Sequence, residues 1–205
     1  MLLTLVVTGS GAALGARLPS LIRRYSTAPP PARSVTAGVT AVAFGLLAAS
    51  LGADPVLPAL LGIAAVGVVL AFVDLACLRL PDPLVLTMLG VAIGGLAGAA
   101  FLTGTGAGLV RAAGAGAACL AGYVVLALLP GSRLGFGDVK LGGVLGLPLG
   151  WLGWDTVLSG VVLPYLLGGP VALALLLTGR IARDTPLPFG PALLTGALLA
   201  VALTA

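Results

Sequence analysis

Glutamate and histidine are missing from this 205-residue chain, and its six acidic residues are all aspartate. So few side chains can carry out acid–base work that any hydrolytic mechanism here must lean on Asp. Cysteine is almost absent too. Cys77 and Cys119 stand apart with no Cys-x-x-Cys pair, and with no His there is nothing to complete a zinc site, so two free structural thiols, no metal and no cofactor are expected. Charge is scarce: 8% of residues are charged, against about 25% in soluble domains. What fills the chain instead is apolar, at 60% hydrophobic residues and a mean hydropathy of +1.22. The expectation is an all-α, polytopic membrane helix bundle forming one unit over 1–205, in contact with the lipid bilayer. The net charge of +4 does not argue for nucleic acid, because the ten basic residues are spread through short loops rather than gathered on one face.

Hydropathy broken by Pro, Gly and charge predicts about eight spans, at 2–16, 35–51, 56–75, 84–102, 109–129, 139–149, 156–177 and 189–203. The first lacks a basic region before its apolar stretch and reads as an uncleaved span rather than a signal peptide. The sixth is short against the ~20 residues of a straight crossing and must borrow 151–154 or lie partly in the interface. Basic residues divide unevenly between the loops. Arg17, Arg23, Arg24 and Arg33 lie in the first loop, Arg79 in the third, Arg133 and Lys140 around the fifth, and Arg180 and Arg183 in the seventh. Only Arg111 falls on the other side, whose loops hold Asp54, the Gly/Thr run 103–108, and Asp155 with the neighbouring Trp151 and Trp154. Positive charge marks the cytoplasmic side, so both termini are expected outside and the protein in the plasma membrane. Two glycine stripes, Gly90-Gly94-Gly98 and Gly142-Gly146-Gly150, recur every four residues and are read as helix-packing faces.

Each acid admits a plain structural reading. Asp82, in Leu80-Pro81-Asp82-Pro83, suits a helix N-cap before a first-turn proline, and Asp155 could cap the span it precedes. Asp54 and Asp184 sit in polar loops. Asp138 could also be a cap. Asp74 closes the apolar run Phe72-Val73-Asp74-Leu75, has no helix start to cap, and is five positions from Arg79, off the favourable helical spacing. A carboxylate inside a bilayer segment costs ~2.5–3.5 kcal/mol at the helix centre, less near an end, so it needs a reason. The topology puts Asp74 and Asp138 at the same, cytoplasmic face. Asp138 follows Gly135-Phe136-Gly137, glycines that let backbone approach a substrate. Two adjacent carboxyls can share one proton, one then acting as acid and the other as base on a water. Lys140 reads either as a group for a substrate carbonyl or anionic lipid, or as a positive-inside anchor.

In several ordered pieces the chain resembles the type IV prepilin peptidases, the aspartyl membrane proteases that include the archaeal preflagellin peptidases. Asp74 followed by Leu80-Pro81-Asp82 is similar to that family's first catalytic motif, and Gly135-Phe136-Gly137-Asp138-Val139-Lys140-Leu141 to its second. Pro188-Phe189-Gly190-Pro191 resembles a segment before its last span. The resemblance implies an endopeptidase that removes short basic leaders from prepilin-like proteins, cutting after a glycine and before the hydrophobic mature helix, with Asp74 and Asp138 catalytic and Gly135, Gly137 and Lys140 supporting. Longer members carry a cytoplasmic insert with two Cys-x-x-Cys pairs, associated with N-methylation. The loop 17–34 has no Cys, so peptidase activity alone is expected. The alternatives are a proton- or cation-coupled transporter using the same acids, a Ser/Lys protease built on Ser132 and Lys140, and a structural assembly protein.

Overall fold

The computed structural model describes residues 1–132, 134–180, 182, 185 and 187–204. Arg133, Arg183 and Asp184 lie outside the described residues. Among those described the chain is all helical: α1 (Leu2–Gly15), α2 (Leu18–Tyr25), α3 (Arg33–Leu51), α4 (Leu57–Cys77), α5 (Asp82–Thr103), α6 (Gly106–Leu128), α7 (Phe136–Leu152), α8 (Trp154–Leu177) and α9 (Gly190–Thr204). Each of the eight hydropathy segments falls on one of these helices.

The unexpected helix is α2, inside the first loop. Leu18, Leu21, Ile22 and Tyr25 share one face, and Pro19 stands in the first turn, where its missing N–H costs nothing. Arg23 and Arg24 lower the average hydropathy by which the longer helices were found. The helix bends 44° from α1 and buries Ile22 against the core.

Five helices, α3 to α6 and α8, are long and apolar enough to cross a membrane, and the bent α1–α2 pair taken as one makes six. The sixth expected segment is longer than hydropathy suggested, because it starts at Phe136. It ends at Leu152 rather than running through Trp154, since Gly153 separates it from α8. At 17 and 15 residues, α7 and α9 are shorter than the ~20 of a straight crossing.

The centre of the bundle is α4, α7 and α9. On one flank α1 packs along α3; on the other α6 runs along α7 and α8 along α9. The most deeply buried side chains include Val69, Leu70 and Val73 of α4, Val139 and Leu141 of α7, and Leu193 of α9. In lipid, close approach of small residues does much of the work of helix association. The stripe on α7 serves that purpose. Gly142 lies on the Tyr123 ring and Gly150 on Ala115, while a Cβ on Gly146 would stand 2.9 Å from both the Ala115 carbonyl and the Gly116 Cα.

The stripe on α5 does not. Gly90, Gly94 and Gly98 face open space, with no atom within 4 Å of an added Cβ, and it is Gly95 that packs on Ala59. The side of α5 that enters the core carries Met88, Ala92, Leu96 and Ala99.

The capping roles read for two acids are also corrected. Asp82 is the first residue of α5, with Pro81 at the N-cap, and Asp155 lies second in α8 behind Gly153; neither makes a side-chain cap bond. Both helices start one or two residues earlier than the sequence pattern implied. Asp54 does bond locally, its Oδ1 accepting the Val56 N–H at 2.8 Å. Arg111, the odd charge on the far side, has a structural use. Its Nε donates to the Gly150 carbonyl at 2.6 Å and its Nη2 to that of Trp151, closing the C-terminal turn of α7, where a cation is favoured.

Candidate active site

Asp74 sits in the last turn of α4, buried at 5% exposure. Its backbone carbonyl accepts the Leu78 N–H at 2.8 Å, and Leu78, in the left-handed region at φ 52°, turns the chain out of the helix. Its carboxylate Oδ2 accepts the Gly190 N–H at 2.9 Å. Gly190 opens α9, so the donor is one of the amides that a helix leaves unpaired at its positive end. A backbone amide bonded to a carboxylate is a charge-assisted contact, among the stronger hydrogen bonds. Glycine is required there for space: a Cβ would lie 2.8 Å from Asp74 Oδ2.

Asp138 is the third residue of α7, behind the N-cap Gly135. It is half-buried, and its Oδ1 is buried with no hydrogen-bond partner among the described residues. The carboxylate folds back over the cap, so that a Cβ on Gly135 would meet Oδ2 at 3.2 Å. Gly135 has φ −68°, open to any residue; what it provides is room for the acid, not an unusual turn.

The helix start that carries Asp138 and the one whose amide holds Asp74 both pack on Leu80. A Cβ on Gly137, next to Asp138, would touch Leu80 Cβ at 2.9 Å, and one on Gly190 would lie 3.3 Å from Leu80 Cδ2. Leu80 thus wedges between the α7 N-terminus and the α9 N-terminus, at the end of the bundle where Asp74 also lies.

Of the other residues singled out by sequence, Gly135 and Gly137 frame Asp138, whereas Lys140 turns elsewhere. Its Nζ bonds Asp82 Oδ1 at 2.7 Å in an exposed ion pair, joining α7 to α5. Ser132 Oγ accepts the nearby Leu134 N–H at 3.4 Å. With each bound to another partner, the Ser132–Lys140 pairing is not formed.

Sequence reasoning missed four neighbours. Gly190 was noticed only as part of a motif and carries the bond to Asp74. Leu80 was read only as part of the Leu80-Pro81-Asp82 pattern, with no role of its own. Tyr123, buried at 3% exposure, and Tyr165 both lie within the electrostatic reach of Asp138, and the Tyr165 ring stands 5.2 Å from that of Phe189. No local signal marks these tyrosines, since their place depends on how α6 and α8 pack. Among the described residues no group of three potential metal ligands occurs.

Comparison with known proteins finds relatives of one kind. The chain is 36% identical over 191 residues to a prepilin leader peptidase/N-methyltransferase of Burkholderia pseudomallei (strain 1026b), covering 89% of this chain and 53% of that protein. A protein of the same description from Aeromonas hydrophila is 36% identical over 132 residues, 60% of this chain and 42% of its own. One from Bacillus subtilis (strain 168) is 36% identical over 83 residues, 39% of this chain and 32% of its own. The chain spans about half the length, or less, of the curated relatives it matches. No protein-family model matches it, and no solved structure does.

Proposed function

This chain belongs to the type IV prepilin peptidase family, and from that premise we propose that it is a membrane aspartyl endopeptidase. It removes the basic leader of prepilin-like proteins at the cytoplasmic face of the plasma membrane, as a single peptidase unit. What supports the mechanism is that the α7 start bearing Asp138 and the α9 start whose Gly190 amide holds Asp74 both pack on Leu80, with Asp138 Oδ1 buried and without a hydrogen-bond partner among the described residues. The ionised member of the pair takes a proton from water as the water oxygen attacks the scissile carbonyl. The protonated member gives its proton to the departing nitrogen, leaving a carboxylic acid and an amine. Asp138 Oδ1 is the oxygen placed to engage the water, and Asp74 is fixed by its amide donor. Gly135 and Gly137 keep the approach to Asp138 clear. Lys140 supports the site at one remove, tying α7 to the start of α5 through Asp82.

The test is cleavage of a prepilin-like substrate with a basic leader, in lipid, by wild type and by Asp74→Asn and Asp138→Asn. Each variant is expected to fold and to lose roughly 10²–10⁴ in rate. Activity surviving either substitution would refute the dyad. Supplied with S-adenosylmethionine, the same assay is expected to leave the new amino terminus unmethylated, since the segment between α2 and α3 contains no Cys; methyl transfer would overturn that. The unpartnered oxygen of Asp138 also suits a proton or cation relay, the second reading. Ion flux in vesicles without cleavage would favour it.

A further inference from the structure

A groove of about 590 Å³ opens between α3, α4 and α9, with Leu145 and Leu149 of α7 at its base. Only Ser34 and Thr195 interrupt its apolar lining, and no charged side chain borders it. Its wall on α3 runs from Val35 to Leu46 and on α4 from Ala71 to Leu60, twelve residues in each case, or about 17 Å from first to last at the rise of a helix. One end approaches Asp74: Ala71 lies one helical turn before it, and Pro191 follows the glycine whose amide binds it.

The α3 wall has the spacing of a helix-pairing seam. Val35, Val39, Val42 and Leu46 stand at i, i+4, i+7 and i+11, and all are exposed, at 48%, 45%, 62% and 36%. Beside them Gly38 faces open space, with no atom within 4 Å of an added Cβ. Across the groove Ala64 and Ala71 keep the α4 wall low, while Leu194 of α9 packs on Gly67 between them. A heptad-spaced seam facing small residues is shaped for another helix to lie close, where a fluid acyl chain would need no such register.

We infer that this groove seats the apolar helix on the carboxyl side of the scissile bond, so that substrate is selected by helix packing along α3 and α4 as well as by the residues at the cut. The inference rests on the peptidase reading and extends it. The basic leader, whose charges an apolar channel would strip of water, stays on the aqueous side of the acids. The first turn of the apolar helix then enters between Val35, Ala71 and Pro191.

Two substrates separate the groove from the chemistry: one with its full apolar helix, and a peptide ending a few residues beyond the cut. Gly38→Phe and Val42→Trp fill the groove at exposed positions away from the acids. Each is expected to raise KM for the helix-bearing substrate by about tenfold, the effect of losing a ~1.4 kcal/mol contact, and to leave cleavage of the short peptide unchanged. A cysteine at position 39 is expected to form a disulfide with one placed in the substrate helix. If wild type cuts and both variants treat the two substrates alike, with no cross-link from position 39, the groove assignment fails while the peptidase reading stands. If a photoreactive acyl lipid, and not substrate, labels position 42, the groove holds lipid and the inference is overturned. If wild type cuts neither substrate, the peptidase reading fails and takes the inference with it.

Discussion

Gly190 has no side chain, and that is what lets its amide reach Asp74. A Cβ would fall 2.8 Å from Asp74 Oδ2 and 3.3 Å from Leu80 Cδ2, so the carboxylate, the leucine or the start of α9 would have to move. Gly190→Ala is therefore expected to misplace the acid while leaving the bundle folded. Displacing a reacting group by a fraction of an ångström to 1 Å can cost up to ~100-fold in rate, so kcat should drop by roughly 10- to 100-fold with little change in the melting temperature. An unchanged kcat would show that the amide does not position Asp74. At this scale the sequence disclosed the two acids and hid what surrounds them. Asp74 and Asp138 stood out because no Glu or His competes with them and because a charge in an apolar run demands a reason. Gly190 is 116 positions from Asp74, and one glycine of 32 carries no mark of the bond it makes. Lys140 shows the same limit: the spacing that puts it near Asp138 along the chain says nothing of Asp82, which holds it across helices.

Helices were largely legible because hydropathy is a property of the segment itself, and each expected span landed on a helix. What the pattern could not tell was which face meets a neighbour. Gly90-Gly94-Gly98 and Gly142-Gly146-Gly150 have the same spacing, yet only the second is covered, because α6 lies along α7 while nothing among the described residues lies on that side of α5. Opposite outcomes follow for one substitution. Gly146→Ala drives a methyl against the Ala115 carbonyl and Gly116 Cα and is expected to lose about 1–3 kcal/mol, the usual penalty of overpacking. Gly94→Ala is expected to stay within ~0.5 kcal/mol of wild type, as an exposed change does. Unfolding midpoints in detergent compare the two. Equal losses would mean that α5 is covered in the folded protein, and equal tolerance would mean that α6 and α7 are not held so closely.

At the scale of the whole molecule, the site exists because the C-terminus of α4 and the N-termini of α7 and α9 come to one end of the bundle. The charge count anticipated the first two, since an error of one span between Asp74 and Asp138 would have set them on opposite faces. The third was not anticipated, because Pro188-Phe189-Gly190-Pro191 holds no charge to orient it. That same end carries Arg79 and Lys140, and Arg23 and Arg24 on α2, which touches α4. It also carries a native probe. Cys77 ends α4 three residues after Asp74 and is partly exposed, its Sγ bonded to Ser26 Oγ at 3.4 Å, whereas Cys119 is buried in α6. A membrane-impermeant maleimide should therefore label Cys77 when the cytoplasmic face is open, as in inverted vesicles, and not when only the outer face is. Cys119→Ser should leave that labelling unchanged, and Cys77→Ser should abolish it. Labelling from the outer face alone would place both aspartates where a basic leader does not reside, and cleavage at the cytoplasmic surface would no longer be tenable.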